Sequence, residues 1–395
     1  MDQVYKINQI VFNDSKTQFG IAYNNGIKTF NTEDFKIKYS SNPLGNISLM
    51  TIVHELNIVV FVGSEINELY DTKKIVIYDL INQKDIYSTR FQKEITRIDT
   101  INKFLVIGFQ NELKIFSLEK KDTIIPINEI TLESDIYEYW SDSSNEFSLT
   151  KIFLANFSPN DVSLSLFIGN YWNFDRPKIF KLPISKIQNI FFIKKMNQII
   201  IPDETAYYIY GFNVDDGKQT LCLYRGKNPG VITSVVLLNK SFLAINNLNR
   251  KIYIYDIIGN SNNYNIGNFI GGLIYGEYIS AFMIIPYEKI IKENEGEFYA
   301  SDFQKKGSIL SCEEDGIELK IFSYNGNAYK LRINFIKKEF DIINKEKYAK
   351  FKVNQIIDNS VNIPENDNTY DSYNSIFENS KKKQKKEEDK FVVFQ

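Results

Sequence analysis

Short apolar runs separated by turns dominate the chain. One segment type recurs, in which a turn leads into a strand that ends near an aromatic residue. Its seven copies are Asn25–Phe30, Lys73–Asp79, Asn111–Ser117, Arg176–Phe180, Thr205–Tyr210, Arg250–Asp256 and Asn327–Leu331. The copies are unevenly spaced, but the spacing centres near the ~40–45 residues of a four-stranded propeller blade. The pattern therefore predicts seven blades.

A nearly continuous apolar run comes before several of these copies. A strand packed between two neighbouring blades is buried on both faces, so it needs no polar face. The runs are Gln18–Tyr23, Ile58–Gly63, Phe104–Gly108 and Phe242–Ile245. Radial repetition leaves only short sheet edges, which suits so strand-rich a chain. The sequence thus predicts an all-β, seven-bladed, WD40-like β-propeller. An array of β-sandwiches gives similar strands but fits the repeat period less well.

Composition agrees with a strand-rich soluble protein. Aromatic residues make up 14% of the 395 residues, with 25 Tyr and 30 Phe, and such side chains favour strands. The formal charge of 47 − 49 = −2 gives no global basic field for nucleic acid. No apolar run approaches the length of a membrane span, and Met1–Lys6 lacks a signal-peptide core. We expect a cytosolic protein.

The last stretch of the chain has a different character. Residues 354–379 are rich in Asn, Asp and Ser, and the lysine-rich run 381–386 is followed by three acidic residues at 387–389. Such composition is typical of disordered segments. We expect the propeller to span residues 1–352 and a short polar, disordered C-terminal tail to span 353–395. The lysine run is more typical of a solvated tail than of a ligand site, because the adjacent acids offset its charge.

Residue types that carry catalysis or bind metals are sparse. His54 is the only histidine, and its position beside an apolar strand favours a loop or core role. Cys222 and Cys312 are too few for a disulfide framework, so we expect buried free thiols. No His/Cys cluster has metal-ligand spacing, and no glycine loop precedes a helix. The sequence predicts a binding protein with no metal and no cofactor; an enzyme with a site of unremarkable residues is a distant alternative.

The stretch Asp203–Gly226 carries the most specific signal in the chain. It ends in Leu223-Tyr224-Arg225-Gly226 and resembles the fifth blade of the PROPPIN family, in which a Phe/Leu-Arg-Arg-Gly stretch follows that blade. The family consists of seven-bladed propellers that bind phosphoinositides and act in autophagy. The similarity covers most of residues 5–350. Other segments that resemble the family's blades are residues 20–32, 74–116 and 242–255.

The resemblance implies a function. A PROPPIN docks peripherally and reversibly on membranes that carry phosphatidylinositol 3-phosphate or 3,5-bisphosphate, and it recruits autophagy proteins there. The phagophore, endosomal and vacuolar membranes are the implied locations, and a monomer in solution is expected. The alternative is a propeller that has lost lipid binding and serves as a protein-interaction scaffold.

The first of the family's two phosphoinositide pockets departs from the pattern. The family has two adjacent arginines, but the first position here holds Tyr224. Asp203, Tyr207 and Tyr210 stand where the family has small hydroxyl and basic residues, and a histidine-containing loop is shortened to Ile184–Gln188. An aspartate repels phosphate, and tyrosine lacks the bidentate, permanently charged contacts of arginine. We expect this pocket to be degenerate.

The second pocket is better preserved. Arg225 occupies the second arginine position, and Asn247 and Lys251 stand where the family has hydroxyls. Both side chains can still donate hydrogen bonds to phosphate. Without the family context, these residues read as solvated loop residues. The candidate phosphoinositide site comprises Arg225, Gly226, Lys227, Asn247, Arg250 and Lys251.

Some PROPPINs also insert an apolar loop into the membrane. The corresponding region here is about residues 260–278, and it contains an apolar run. An exposed run of this kind suits interfacial insertion. An equally weighted alternative is that the run forms a strand of blade six. The candidate inserting residues are Phe269, Ile270, Leu273, Ile274 and Tyr275.

Overall fold

The structure is a computed structural model that describes residues 6–347 with short gaps. The gaps are residues 14, 42–43, 54–55, 68, 102, 119, 142–150, 171–172, 225–229, 249–250, 258–263, 269–274, 291–307, 313–316 and 325. In residues 141, 264–268, 275–280, 288, 308–312 and 346–347 only the backbone is described. His54 falls in a gap, and so does the side chain of Cys312, so their predicted roles lie outside the described residues.

The described strands form seven sheets, of which six contain four strands and one contains six. Neighbouring strands in the four-stranded sheets are antiparallel. The first three blades use strands that follow one another in sequence. Blade 1 contains β1 (Ile7–Phe12), β2 (Gln18–Tyr23), β3 (Gly26–Asn31) and β4 (Ile37–Ser40). Blade 2 contains β5 (Ile47–Val53), β6 (Ile58–Gly63), β7 (Lys74–Asp79) and β8 (Lys84–Arg90). Blade 3 contains β9 (Arg97–Ile101), β10 (Phe104–Phe109), β11 (Glu112–Ser117) and β12 (Ile125–Thr131).

The next two blades continue this order. Blade 4 contains β13 (Tyr137–Ser141), β14 (Ile152–Ser158), β15 (Ser163–Gly169) and β16 (Lys178–Lys181). Blade 5 contains β17 (Phe191–Ile193), β18 (Gln198–Pro202), β19 (Tyr208–Asn213) and β20 (Gln219–Tyr224), with a single 3-10 turn at Lys194–Met196.

Blade 6 departs from this sequential strand order, because two extra strands separate its third strand from its fourth. Blade 6 contains β21 (Ile232–Leu238), β22 (Phe242–Asn247), β23 (Lys251–Asp256) and β26 (Met283–Pro286), and a short helix α1 (Tyr287–Ile290) follows. The extra strands are β24 (Tyr264–Asn268) and β25 (Tyr275–Ser280). Blade 7 contains β27 (Ser308–Cys312), β28 (Glu318–Ser323), β29 (Asn327–Asn334) and β30 (Glu339–Lys347).

The predicted seven-bladed propeller is confirmed. Six of the seven predicted copies fall on the third strand of a blade, and the apolar runs before them are the second strands. Strands β2, β6 and β10 are buried at every position, as a strand packed on both faces should be. The prediction for Arg176–Phe180 is wrong. This segment falls on β16, the fourth strand of blade 4, whereas the third strand of that blade is β15.

The ring closes between blades 7 and 1 through side chains rather than through a shared strand, because each of these sheets takes four consecutive strands. Phe322 of β28 is fully buried and contacts Phe19 of β2, with ring centroids 4.5 Å apart. Nearby, Glu33 accepts hydrogen bonds from Lys320, a side chain 4% exposed, and from Lys330 at 3.1 Å. Apolar packing and the ion pairs of exposed Glu33 with Lys320 and Lys330 thus join the two ends of the propeller.

The internal contacts divide the chain into residues 1–352 and 353–395. The second segment lies outside the described residues, so the polar, disordered tail stays a prediction. No helical segment among the described residues has the length and hydropathy that a membrane crossing requires.

Candidate functional site

The arginine position of the second pocket follows the last strand of blade 5. Strand β20 ends at Tyr224, and residues 225–229 lie outside the described residues. On one side of this gap, the Tyr224 carbonyl accepts a hydrogen bond from the Tyr255 hydroxyl of blade 6 at 3.1 Å. On the other side, the Val231 carbonyl accepts one from the Leu248 amide at 2.9 Å. Both flanks of the gap are therefore fixed against blade 6.

The insertion of blade 6 meets the same strand end. Strands β24 and β25 pair as an antiparallel hairpin between β23 and β26. Strand β25 then pairs in parallel with β20, with Ile279 opposite Leu223 and Ser280 opposite Tyr224. The hairpin thus extends the sheet of blade 5 to six strands and brings its base beside the residue that precedes Arg225.

This arrangement bears on the alternative that the apolar run forms a strand of blade 6. The fourth strand of that blade is β26, which lies after the run. Tyr275 begins β25, which belongs to the sheet of blade 5. The other four candidate inserting residues lie outside the described residues, in the chain between β24 and β25. They are Phe269, Ile270, Leu273 and Ile274.

Asp203 lies in the turn between β18 and β19 and is partly buried. Its carboxylate accepts a hydrogen bond from the Thr205 hydroxyl at 3.0 Å. Burial raises the pKa of the Asp203 carboxyl, while hydrogen bonds from Thr205 and from backbone amides at 206–208 oppose that shift. Tyr207 lies in the same turn and is partly exposed. The turn therefore contains a partly buried carboxylate, and its assignment to the first pocket stays a prediction.

Tyr224 and Tyr210 have different surroundings. Tyr224 is partly exposed, and its ring packs against Tyr208, with centroids 5.4 Å apart. Tyr210 is only 1% exposed and belongs to the core between blades 4 and 5. It lies opposite Cys222, whose thiol is free; burial, and to a smaller extent the charge of Asp203, raises the pKa of that thiol to about 11. Of the two tyrosines, only Tyr224 is near the surface.

Asn247 and Lys251 lie on either side of the turn between β22 and β23. Asn247 is fully buried, and its side-chain oxygen accepts a hydrogen bond from the Lys251 amide at 3.1 Å. The Lys251 side chain is exposed. Asn247 therefore shapes the turn, and Lys251 presents a positive charge at its surface. Arg225, Gly226, Lys227 and Arg250 lie outside the described residues.

Gln188 joins the two candidate pockets, and the sequence analysis did not identify it. Its side-chain oxygen accepts a hydrogen bond from the Ile232 amide of blade 6 at 3.1 Å, and its side-chain nitrogen donates to the Glu204 carbonyl at 3.0 Å. The shortened loop before blade 5 thus fixes the turn that holds Asp203 relative to the start of blade 6. Nothing in the sequence distinguishes this glutamine from others, because both partners are backbone groups distant in sequence.

No protein-family model matches the chain. Two curated proteins named SVP1-like protein 2 match parts of it. The one from Eremothecium gossypii is 24% identical over 110 residues, which cover 27% of this chain and 27% of the relative. The one from Candida glabrata is 23% identical over 122 residues, which cover 29% of this chain and 27% of the relative. The matches thus span about a quarter of the length of these relatives.

Solved structures match over a much larger share of the chain. Hsv2 of Kluyveromyces marxianus superposes with a TM-score of 0.64 at 11% identity, covering 87% of this chain and 99% of that one. This likeness shows the fold, a seven-bladed β-propeller. Kluyveromyces lactis Hsv2 with its complete loop 6CD gives a TM-score of 0.64 at 13% identity, covering 87% of this chain and 100% of that one. A structure described as a complex of KlAtg21 with the coiled coil of AgAtg16 gives a TM-score of 0.63 at 13% identity over the same shares.

Proposed function

We propose that this chain is a phosphoinositide-binding propeller scaffold. It docks reversibly on membranes that carry phosphatidylinositol 3-phosphate or 3,5-bisphosphate, and it recruits autophagy-type proteins there. The proposed locations are the cytosol and the phagophore, endosomal or vacuolar membranes. The role is binding rather than catalysis.

One observation carries this proposal: the pairing of β25 with the end of β20. Ser280 lies opposite Tyr224, so the insertion that contains the apolar run of residues 269–275 ends beside the position that precedes Arg225. We therefore assign an arginine for a phosphate group and an apolar run for the lipid interface to one membrane-facing edge. A membrane offers a binding partner to each of them, because headgroup phosphates lie just above the acyl chains.

The proposal assigns lipid binding to a single pocket. Arg225 and Lys251, with Arg250 and Lys227, form the retained site, and Arg225 supplies its permanently charged, bidentate contact. Asp203 and the Tyr208–Tyr224 pair replace the cationic groups of the other site. The same replacements favour the second candidate function, a protein scaffold without lipid binding.

Protein partners are the other half of the proposal. The Atg21 structure similar to this chain was solved as a complex with an Atg16 coiled coil. We assign the chain partners of the same autophagy class.

Vesicle flotation tests this function. We expect the protein to float with phosphatidylcholine vesicles that contain phosphatidylinositol 3-phosphate and to stay behind without that lipid. Replacing residues 269–274 by a Gly-Ser linker of equal length should weaken flotation by about tenfold, because it removes apolar side chains from the interface. Its binding to a soluble headgroup should be unchanged. Equal recovery of the protein with both vesicle types would support the scaffold function instead.

Restoring the missing arginine and removing the aspartate tests whether the first pocket is degenerate. Tyr224→Arg alone should add little binding, because the Asp203 carboxylate still repels phosphate. The double variant Tyr224→Arg, Asp203→Ser should bind a second soluble phosphoinositide, with affinity about tenfold above the single variant. The combination of Tyr224→Arg with Asp161→Ser, an equal charge change on exposed Asp161 of blade 4, is the control. Full two-site binding by Tyr224→Arg alone would contradict the placement of Asp203 in this pocket.

A further inference from the structure

The turn between β29 and β30 presents an unusual apolar side chain. Ile336 is 96% exposed, the highest value among the large apolar side chains of the described residues. The side-chain oxygen of Asn334 accepts hydrogen bonds from the amides of Ile336 at 3.1 Å and Lys337 at 3.0 Å. The turn therefore has a defined shape, and Ile336 protrudes from it. Lys337 and Lys338 follow and are both exposed.

This turn of blade 7 packs against the base of the blade 6 insertion. Phe335 stacks on Phe242 of blade 6, with ring centroids 4.0 Å apart and planes within 16°. Phe242 in turn contacts Phe282, at 5.2 Å between centroids. Phe282 lies two residues after the end of β25 and is fixed by a hydrogen bond from its amide to the Ile254 carbonyl at 2.8 Å. The three rings thus connect the protruding turn to the insertion.

Lysines surround this cluster. The ammonium group of Lys338 lies 4.3 Å from the centre of the Phe282 ring. Lys240 is exposed in the turn between β21 and β22, and the adjacent Ser241 carbonyl accepts a hydrogen bond from the Ile257 amide at 2.8 Å, where the insertion begins. The acidic residues nearest in sequence or strand register are Asp256 and Glu339. We name the set the lysine-flanked patch: Lys240, Phe282, Phe335, Ile336, Lys337 and Lys338.

We propose that the lysine-flanked patch is a second membrane contact, separate from the phosphate pocket. Ile336 enters the boundary between headgroups and acyl chains, and the three lysines bind anionic headgroups around it. The inference rests on the proposed function. The patch contacts the base of the insertion, so it faces the bilayer only if the insertion does.

The shape of the patch favours a bilayer over a protein partner. One protruding side chain on a convex turn offers little of the roughly 800 Å² per partner that a stable protein interface buries. A bilayer closes around a single apolar side chain, and the flanking lysines match its anionic lipids without needing a fixed partner geometry. The occupant is therefore an anionic lipid surface.

Vesicle binding by point variants tests this contact. The vesicles contain phosphatidylcholine with about one fifth phosphatidylserine, with or without phosphatidylinositol 3-phosphate. Ile336→Ser should weaken binding about fivefold, the equivalent of about 1 kcal/mol. Lys337→Gln with Lys338→Gln should weaken it about tenfold, and more strongly at low salt. Ile66→Ser is the matched control, because Ile66 is 80% exposed in blade 2. Affinity for a soluble headgroup should stay at the wild-type value in all variants.

The outcomes separate this inference from the proposed function. If Ile336→Ser binds phosphoinositide vesicles as well as Ile66→Ser does, the patch is not a membrane contact, while the proposed function stands. If the wild-type protein binds phosphatidylserine vesicles through Ile336 with no effect of phosphoinositide, the patch is supported and the proposed function fails. If the wild-type protein binds neither vesicle type, both are wrong.

Discussion

Replacing Phe322 by Ala should lower the free energy of unfolding of the propeller by about 3–5 kcal/mol, the usual cost of removing a fully buried phenylalanine. Phe322 of blade 7 is 0% exposed, and its ring contacts three rings of blade 1. The partners are Phe19 at 4.5 Å, Phe12 at 5.1 Å and Phe35 at 5.7 Å between centroids. Because no strand is shared across this junction, the side chain packing has to hold the ring closed.

Urea unfolding of the variant, followed by circular dichroism, measures this loss. Ile81→Ala is the control, since Ile81 is 60% exposed in blade 2 and its truncation should change stability by less than about 0.5 kcal/mol. A Phe322→Ala protein as stable as Ile81→Ala would show that the first and last blades do not depend on this contact.

Replacing Arg225 by Ala should weaken phosphoinositide binding by about ten- to a hundredfold and leave stability unchanged. A hydrogen bond to a charged group contributes about 1.5–3 kcal/mol, which corresponds to that range. Gly226 follows the arginine in sequence, and glycine accepts backbone conformations that other residues rarely adopt. Arg225→Lys should recover only part of the affinity, because an ammonium group cannot make the planar bidentate contact.

The control for this variant is an arginine in another blade. Arg90→Ala removes an exposed arginine of blade 2, whose partner is Asp71, and should leave lipid binding unchanged. Vesicle flotation and thermal unfolding should be measured on both proteins. If Arg225→Ala floats with the vesicles as well as the wild-type protein does, the retained pocket does not bind the lipid, and the scaffold function is favoured.

The propeller could be predicted because the sequence patterns of its strands and turns are local. Strands such as β6 and β10 are apolar throughout, and turn-and-strand copies such as the one that gives β7 repeat at the blade period. The error in blade 4 has a local cause as well. Its third strand, β15, and its fourth, β16, both follow a turn, and only β16 contains an Ile-Phe pair that resembles the other copies.

Contacts between blades could not be predicted from the chain alone. The stacking of Phe335 on Phe242 and the closure by Phe322 join residues far apart in sequence, and neither has a periodic signal. The six-stranded sheet of blade 5 is a similar case, because only two residue pairs attach β25 to β20. For the site, the arginine position stays a prediction from the sequence, while the bridging role of Gln188 depends on backbone partners that only the fold brings together.

Calorimetric titration with a soluble short-chain phosphatidylinositol 3-phosphate is the most direct test of whether the chain has a single phosphoinositide pocket. A two-pocket propeller gains about 10²–10⁴ in apparent affinity on a membrane from linking its contacts. With one pocket, this chain should bind one headgroup weakly and depend on the insertion, on the lysine-flanked patch or on protein partners for stable docking. We expect a single weak site that Arg225→Ala abolishes. Two sites of similar affinity, or no binding, would contradict it.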